Sequence, residues 1–534
     1  MPTASSIRRV PRSVVALFFG SWLVLGGLLF ADYGVSWDEH TDRANGLVSL
    51  RYVASLVAPG WAARQPLLQA APDIKDYLDN DHGVLLEVPL ALFDVLRGDC
   101  SDPRPYYLLR HALVFLLSLG GGWALFRLGA LRFRDERLGL LAAGLLLLSP
   151  RLFAESCYNA KDVTFMAAFT LGAYTLARLL AHPTGRRALV HGLVTAAATD
   201  IRVLGVLLGP LTLGLLGLRW WATTAPPVRR ELVRAGLGYG LVMAAGVIVG
   251  WPYLWQNPVR HLAIALLSMG HFRWGGPILY AGHIISATKV PWHYIPVWLS
   301  ITTPVAYQVA ALLGVGIAAA GLLRRARWRT PAGHLDLLLL AWLGLPLALV
   351  IGLHSVLYDG WRHLYFVYPA LLLLAVRGGL AVVRLARRGP GWHRLALGLG
   401  LLAAAEAVGT AVRMARMHPF EQTYFSYLPR PLAERLFERD YWGLAYRQGL
   451  EYLIRQQPTG PVLLQAVENQ PLENNLIWLP LADQRRVVPT AHARPRYVLT
   501  TYRHTPAPAS DSLGREVYAI RADGVKILSV FRRE

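Results

Sequence analysis

The stretch LVHGLVTAAATDIRVLGVLLGPLTLGLLGL, residues 189–218, decides the fold. Its 30 residues of nearly unbroken apolar chain exceed the ~20 that cross a bilayer core as one helix, and Asp200 and Arg202 stand at its middle. Both flanks are basic, with Arg186 and Arg187 before it and Arg219, Arg229 and Arg230 after it. Arginine-rich loops stay in the cytoplasm, so the run must cross an even number of times. It is read as two short helices with Asp200-Ile201-Arg202 at the outer turn. An unpaired charge at that depth is costly, so the two pair with each other or face a polar cavity.

Further runs of spanning character lie outward from it at 14–31, 107–125, 138–148, 163–180, 235–254, 295–323, 335–353, 364–383 and 395–412. Arg8, Arg9 and Arg12 precede the first, which is long and bulky and lacks a clean A-x-A site. It therefore reads as a retained span, not a cleaved signal peptide. Eleven spans result, with the amino terminus inside and the carboxyl terminus outside. The arginines at 127–137, 324–329 and 384–394 all fall on the inner side under this count.

Composition agrees. Of 534 residues, 54% are hydrophobic and 16% charged, with a mean hydropathy of +0.36, whereas soluble proteins carry about 25% charged residues. The net charge of +21 would suit a nucleic-acid binder if the charges were clustered on a soluble face. Instead, six inner segments (1–12, 127–137, 182–187, 219–234, 324–334 and 384–394) hold 21 arginines against Asp135, Glu136 and Glu231, or +18 of the total. The excess is a topology signal for a multi-pass protein of the cell (inner or plasma) membrane, and no nucleic-acid partner is implied.

Two parts lie outside the spans. The long outer loop 32–105 contains 84–96, apolar but short and interrupted by Glu87 and Asp94, which reads as an amphipathic interfacial helix. From 414 to 534 the pattern is soluble, with strand-like alternation at 461–467, 497–502, 516–520 and 526–531, the last two joined by Asp523-Gly524 as a hairpin turn. The fold class is thus an α-helical polytopic membrane protein, a spanning domain 1–413 followed by a small extracytoplasmic α/β domain. Cys100 and Cys157 form no disulfide framework and no metal motif. One bridge between them stays open if both face an oxidising compartment.

Ionisable groups at a membrane boundary are functional candidates, and six clusters fall on the outer face. They are Ser36-Trp37-Asp38-Glu39-His40, Asp79-Asn80-Asp81-His82, Asn159-Ala160-Lys161-Asp162, Asp200 with Arg202, Lys289 to Tyr294, and Tyr358-Asp359-Gly360-Trp361-Arg362-His363. Each has a plainer reading. Asp38 is a fitting helix N-cap, Lys161-Asp162 a helix-start ion pair, and Trp37, Trp292, Tyr294 and Trp361 members of an interfacial belt. Together they offer carboxylates that suit deprotonation of a hydroxyl (Asp38, Glu39, Asp162). Beside these stand groups that suit a phosphate and its departure (His82, Lys161, Arg202, Arg362, His363), and aromatic faces for a sugar (Trp37, Trp292, Tyr294).

These features resemble the GT-C superfamily of membrane glycosyltransferases, in particular the protein O-mannosyltransferases and the lipid A aminoarabinose transferases. The resemblance rests on the acid pair Asp38-Glu39 just after the first span, His82 opening the amphipathic segment, and Asp162 entering the fourth span. The short hairpin with Arg202 at its turn, the Pro-Trp-x-Tyr-x-Pro element at 291–296, and Arg362 to Tyr365 at the start of the tenth span add to it. It covers most of 1–413. The turn at Arg202 reads Thr-Asp-Ile-Arg where the family often has Thr-Lys-Gly-Pro, and His82-Gly83-Val84 replaces His-Pro-Pro.

The resemblance implies a polyprenyl-phosphate-linked sugar as donor, a hydroxyl on a lipid, glycan or protein as acceptor, and inversion in one displacement. Asp38 would be the general base, and Glu39 or Asp162 would position the acceptor or the base. No cofactor beyond the lipid-linked co-substrate is called for, no strong metal-ligand spacing is present, and a divalent metal stays open. Two other classes fit the same chain: a transporter or flippase of amphiphiles, and a non-catalytic component of envelope-glycan assembly. Transporters gather ionisable groups at the bilayer midplane and show inverted repeats, whereas here the charges gather at one rim.

Overall fold

In a computed structural model the described residues are 7–98, 102–270, 272–489, 495–506 and 513–533; Cys100 lies outside them. Among the described residues, nine helices are long and apolar enough to cross a membrane. They are Arg12–Leu29, Arg104–Phe133, Asp162–Ala181, Val203–Ala222, Pro226–Gly250, Val305–Leu322, Pro331–Gly352, Arg362–Arg388 and Pro390–Met417. Asp162–Ala181 and Arg362–Arg388 are the most enclosed, while Arg12–Leu29 and Pro390–Met417 are almost bare of protein neighbours. The remaining two expected spans are shorter helices, Glu136–Leu147 and Gly185–Ile201.

The 189–218 run divides where its charges stand. Helix Gly185–Ile201 ends at Arg202, whose backbone is extended, and a 3-10 turn at Val203–Leu207 leads into Leu208–Ala222. Buried His191 explains the imidazole inside this apolar sequence, because its ring nitrogens bridge Thr175 at 2.8 Å and Thr212 at 2.7 Å across three helices. Asp200 and Arg202 do not pair with each other. Asp200 is buried against Gly250, where a Cβ would come within 2.1 Å of its Oδ2, and Arg202 turns to Asp162. The loop at Gly83 lies directly on this turn. A Cβ there would meet the Asp200 carbonyl at 2.3 Å, and Leu85 N donates to the same oxygen at 3.2 Å.

The 295–323 run also divides, into Tyr294–Thr302 and Val305–Leu322. Pro304 lacks an N–H and pushes the residue before it out of the helical region, and Thr303 is accordingly extended. The exposed start of the second helix is satisfied from another span, since Glu406 accepts from Val305 N at 2.6 Å and Ala306 N at 2.7 Å. A carboxylate in an apolar helix thus serves as a remote cap.

The first loop forms helix Glu39–Val57, on which the amphipathic Glu87–Arg97 packs before ending at left-handed Gly98. A hairpin at Pro277–Tyr280 and His283–Ser286 was not expected from the sequence pattern. The C-terminal part holds a five-stranded sheet in spatial order Val487–Pro489, Val462–Ala466, Tyr497–Thr501, Val525–Arg532, Arg515–Ala522. The first three are parallel, with Leu464 opposite Tyr497, and the last two antiparallel, turning at Asp523-Gly524 with φ of 48° and 81°. This part grips the segment that leaves the first span. Asn475 bonds Val35 through both its N–H and its carbonyl, at 3.1 Å each, and Asn474 donates to Ser36 O at 2.8 Å. Arg447 donates to the carbonyls of Ala31, Asp32 and Tyr33, and Trp37 N donates to Trp442 O at 3.0 Å.

Candidate active site

Asp38 stands at the N-cap position of helix Glu39–Val57, but its side chain makes no capping bond. It reaches Arg362 instead, Oδ2 to Nη1 at 2.9 Å, and keeps 32% of its side chain accessible. Arg362 starts the Arg362–Arg388 span just after the left-handed pair Asp359-Gly360. That turn aims the guanidinium back at three carboxylates: Asp38, Asp162 Oδ2 at 3.1 Å, and Asp359 Oδ2 at 3.0 Å. Its faces are covered by Trp442 and Tyr358, with ring centroids 4.6 and 5.1 Å away. Asp162 also pairs with Arg202 through Oδ1. It is oriented by Asn159, which donates to its Oδ2 at 3.1 Å and receives its backbone N–H at 2.9 Å.

Lys161 Nζ lies 2.6 Å from Asp42 Oδ1. Lys161 and Arg202 retain 17% and 13% of their side-chain surface, so with Asp38 they are the partly accessible members of a charged cluster recessed among buried neighbours. Burial pushes the Asp38 carboxyl up, but the charges of Arg362, Lys161 and Arg503 outweigh it and hold it below the ordinary carboxylate value. Burial likewise lowers Lys161, and Asp42 and Asp38 more than restore it. At neutral pH the recess therefore holds an ionised acid and a protonated amine side by side.

The other sequence-derived candidates are placed differently. Glu39, next in the chain to Asp38, points into a sealed cluster. Its Oε2 accepts from Ser36 N at 2.7 Å, and its Oε1 accepts from His111 Nε2 at 2.9 Å and faces Arg110. His82 belongs to a neighbouring group, 3.3 Å from Asp81, which also holds Arg273 at 2.5 Å. Burial pushes the Asp81 carboxyl up, but His82, Ser268 and Arg273 hold it at about 2. Phe272 and Tyr358 bridge this group to the recess, with His82 to Phe272 at 5.9 Å, Phe272 to Tyr358 at 6.0 Å and Tyr358 to His363 at 4.7 Å. Trp37 is half-buried beside the recess, with the Arg503 guanidinium 4.5 Å from its ring. Tyr294 is buried and its hydroxyl accepts from Gly360 N at 3.2 Å, so it braces the turn that aims Arg362 and shows no free face. Trp292 and Lys289 are exposed, with Trp292 packed edge-on to His293.

Sequence reasoning missed Asp42, Arg110, Glu155 and Arg503. Arg110 is the one charge inside the 107–125 run, which by the rule applied elsewhere should have drawn notice. It gathers Glu87 at 2.5 Å and Asp42 at 2.6 Å. Glu155 is fully buried, accepting from Tyr365 OH at 2.6 Å, Tyr441 OH at 3.1 Å and Asn159 at 2.7 Å, and so fixes the residue that orients Asp162. Asp42 lies one helical turn after Asp38, a spacing that puts both on one face. Among the described residues no group of three or more His, Cys, Asp or Glu side chains stands close enough to hold a metal ion. Cys157 is buried, and its proposed partner Cys100 lies outside the described residues.

No family model and no curated protein matches the chain. Among solved structures, the oligosaccharyltransferase of Archaeoglobus fulgidus, in complex with zinc and sulfate, aligns with 92% of this chain and 67% of its own. The identity is 11% and the TM-score 0.43. ArnT from Cupriavidus metallidurans in the apo state aligns with 97% of this chain and 98% of its own, at 14% identity and a TM-score of 0.45.

Proposed function

We propose that the chain is an integral-membrane glycosyltransferase that moves a sugar from a polyprenyl-phosphate donor to a hydroxyl acceptor at the outer face of the membrane. The observation that carries this reading is Asp38. It occupies a capping position yet leaves the cap unmade, reaches across the chain to Arg362, and still shows a third of its surface to the recess. A carboxylate so placed is available to a ligand.

The acceptor hydroxyl gives its proton to Asp38 as its oxygen attacks the anomeric carbon from the face opposite the phosphate. The new C–O bond forms as the bond from that carbon to the phosphate oxygen breaks, so the configuration inverts. The departing electron pair goes to the lipid phosphate, whose growing charge is met by Lys161 and Arg202, the two accessible cations. Before donor binding those cations face Asp42 and Asp162. A phosphate entering among them adds negative charge near Asp38 and raises its affinity for a proton, which improves a carboxylate that is otherwise a weak base. Asp162 orients Arg362 and Arg202, and Glu39 anchors the loop that carries Asp38. His82 and His363 line the approach along the aromatic strip, and Trp37 offers a ring to the sugar. In this orientation the amino terminus is cytoplasmic and the C-terminal domain extracytoplasmic.

The test is transfer by the purified chain in nanodiscs with a panel of polyprenyl-phosphate sugars, with mass analysis of the acceptor and NMR of the new glycosidic bond. One donor is expected to give a product of inverted configuration. No transfer with any donor, together with movement of a labelled lipid across the bilayer, would replace the reading with a transporter.

A further inference from the structure

The C-terminal domain meets the membrane part along the carboxyl edge of its parallel strands. Glu468 follows strand Val462–Ala466 and Arg503 follows the adjacent Tyr497–Thr501, each two residues past its strand's end. Adjacent parallel strands deliver side chains next to one another at this edge, which is where ligands bind in open α/β sheets. Arg503 is buried there among carboxylates of both parts of the molecule. Its Nη2 donates to Asp359 Oδ1 at 2.8 Å, Glu468 and Glu438 add negative charge beside it, and its guanidinium covers the Trp37 ring. The second oxygen of Asp359 takes Arg362, which holds Asp38 and Asp162. A continuous charged chain, Arg503 to Asp359 to Arg362 to Asp38, thus runs from the soluble domain to the recess. On the other side, Asn474, Asn475 and Arg447 of the same domain fasten residues 31–36.

We propose that Arg503 is a positioning residue of the transfer site, fixing Asp359, Arg362 and the Trp37-Asp38 corner, so that the membrane part is catalytically incomplete without the C-terminal domain. This rests on the reading of Asp38 as general base. Two consequences follow from position and charge. Without Arg503, Asp359 is a buried carboxylate with one partner fewer, and it draws Arg362 away from Asp38. Asp38 also loses one of the cations that keep it ionised. The charged and titratable groups around Asp38 are Arg362, Lys161, Arg503, Arg202 and Tyr358, with the carboxylates Asp162 and Asp359 on the same Arg362 guanidinium. With Arg503 absent, burial gains ground over the remaining cations.

The test uses the full chain in nanodiscs with a donor that supports transfer by the wild type. R503Q is expected to lose about tenfold or more in kcat at neutral pH. The wild-type kcat/KM should stay level on the acid side of neutrality, whereas that of R503Q should begin to fall at a higher pH than the wild type's. R503K, which keeps the charge, should show the level profile and recover most of the rate. If R503Q does not fold, R503M made together with E468M, which takes one buried charge of each sign out at once, is read in the same way. R503Q or the double variant with the wild-type rate and profile overturns the proposal, as does R503K behaving like R503Q. A wild type inactive with every donor overturns the underlying reading and this proposal together, whereas an active wild type with an indifferent Arg503 overturns this proposal alone.

Discussion

Asp38 and Glu39 are neighbours in the chain and stand in two opposite kinds of site. Glu39, Asp42, Glu87, Arg110 and His111 form a sealed cluster in which no side chain shows more than 4% of its surface. Asp38, Lys161 and Arg202 have similar charges and similar partners, but keep 32%, 17% and 13%. Charge type does not separate the two regions; access does. In the sealed cluster every acid is committed to holding the first loop against the Arg104–Phe133 span. In the open one the same chemistry is left able to meet a ligand. Lys161 joins them, since its partner Asp42 is also held by Arg110.

Substitutions can pull this comparison apart. The largest effect is expected for D38N, which should fold normally and lose roughly a hundred- to ten-thousand-fold in transfer rate, the range of a positioned general base. Next comes R110M. It leaves Glu39, Asp42 and Glu87 without their shared cation, and thermal unfolding in detergent should show a loss of about 3–5 kcal/mol, as for a buried pair broken on one side. E39Q is expected to cost about 1–3 kcal/mol of stability through its imperfect bond to His111 and Arg110, while transfer falls by less than about tenfold.

The smallest effect concerns pH. Burial lowers His418, but Glu421 and Asp32 more than offset it and raise its affinity for a proton in the folded state. The stabilisation is therefore complete below the unfolded value of about 6.5 and is lost as pH rises through the higher folded value. H418N should unfold at lower temperature than the wild type at pH 6, and the gap should narrow as pH is raised. A gap that widens with pH would show that the histidine is neutral in the fold.

Much of the architecture was legible in residues 189–218. Two charges in an apolar run with basic flanks demand a hairpin, and the chain turns at Arg202. Where those charges go was not legible, because Asp162, which Arg202 reaches, and Gly250, against which Asp200 packs, are each set by packing of helices distant in sequence. Pro304 in the 295–323 run was a readable break, since an interior proline removes a helix hydrogen bond and clashes with the preceding turn, although Pro346 is carried inside the continuous helix Pro331–Gly352. At the site, Asp38 could be singled out by its place after the first span, but not told from a cap. The deciding contact is with Arg362, 324 residues away. Arg503 lies further still, in a domain whose strands show clearly in the alternation of 497–502 and whose docking edge does not. No local pattern records which end of a sheet faces the membrane.

The most direct test is to measure transfer by D38N and E39Q side by side, in the same nanodiscs, with the same donor and with folding verified by thermal unfolding. The open-versus-sealed account predicts that D38N is folded and almost inactive, whereas E39Q is less stable and still transfers within about tenfold of the wild type. A folded, active D38N beside a stable, inactive E39Q would contradict it.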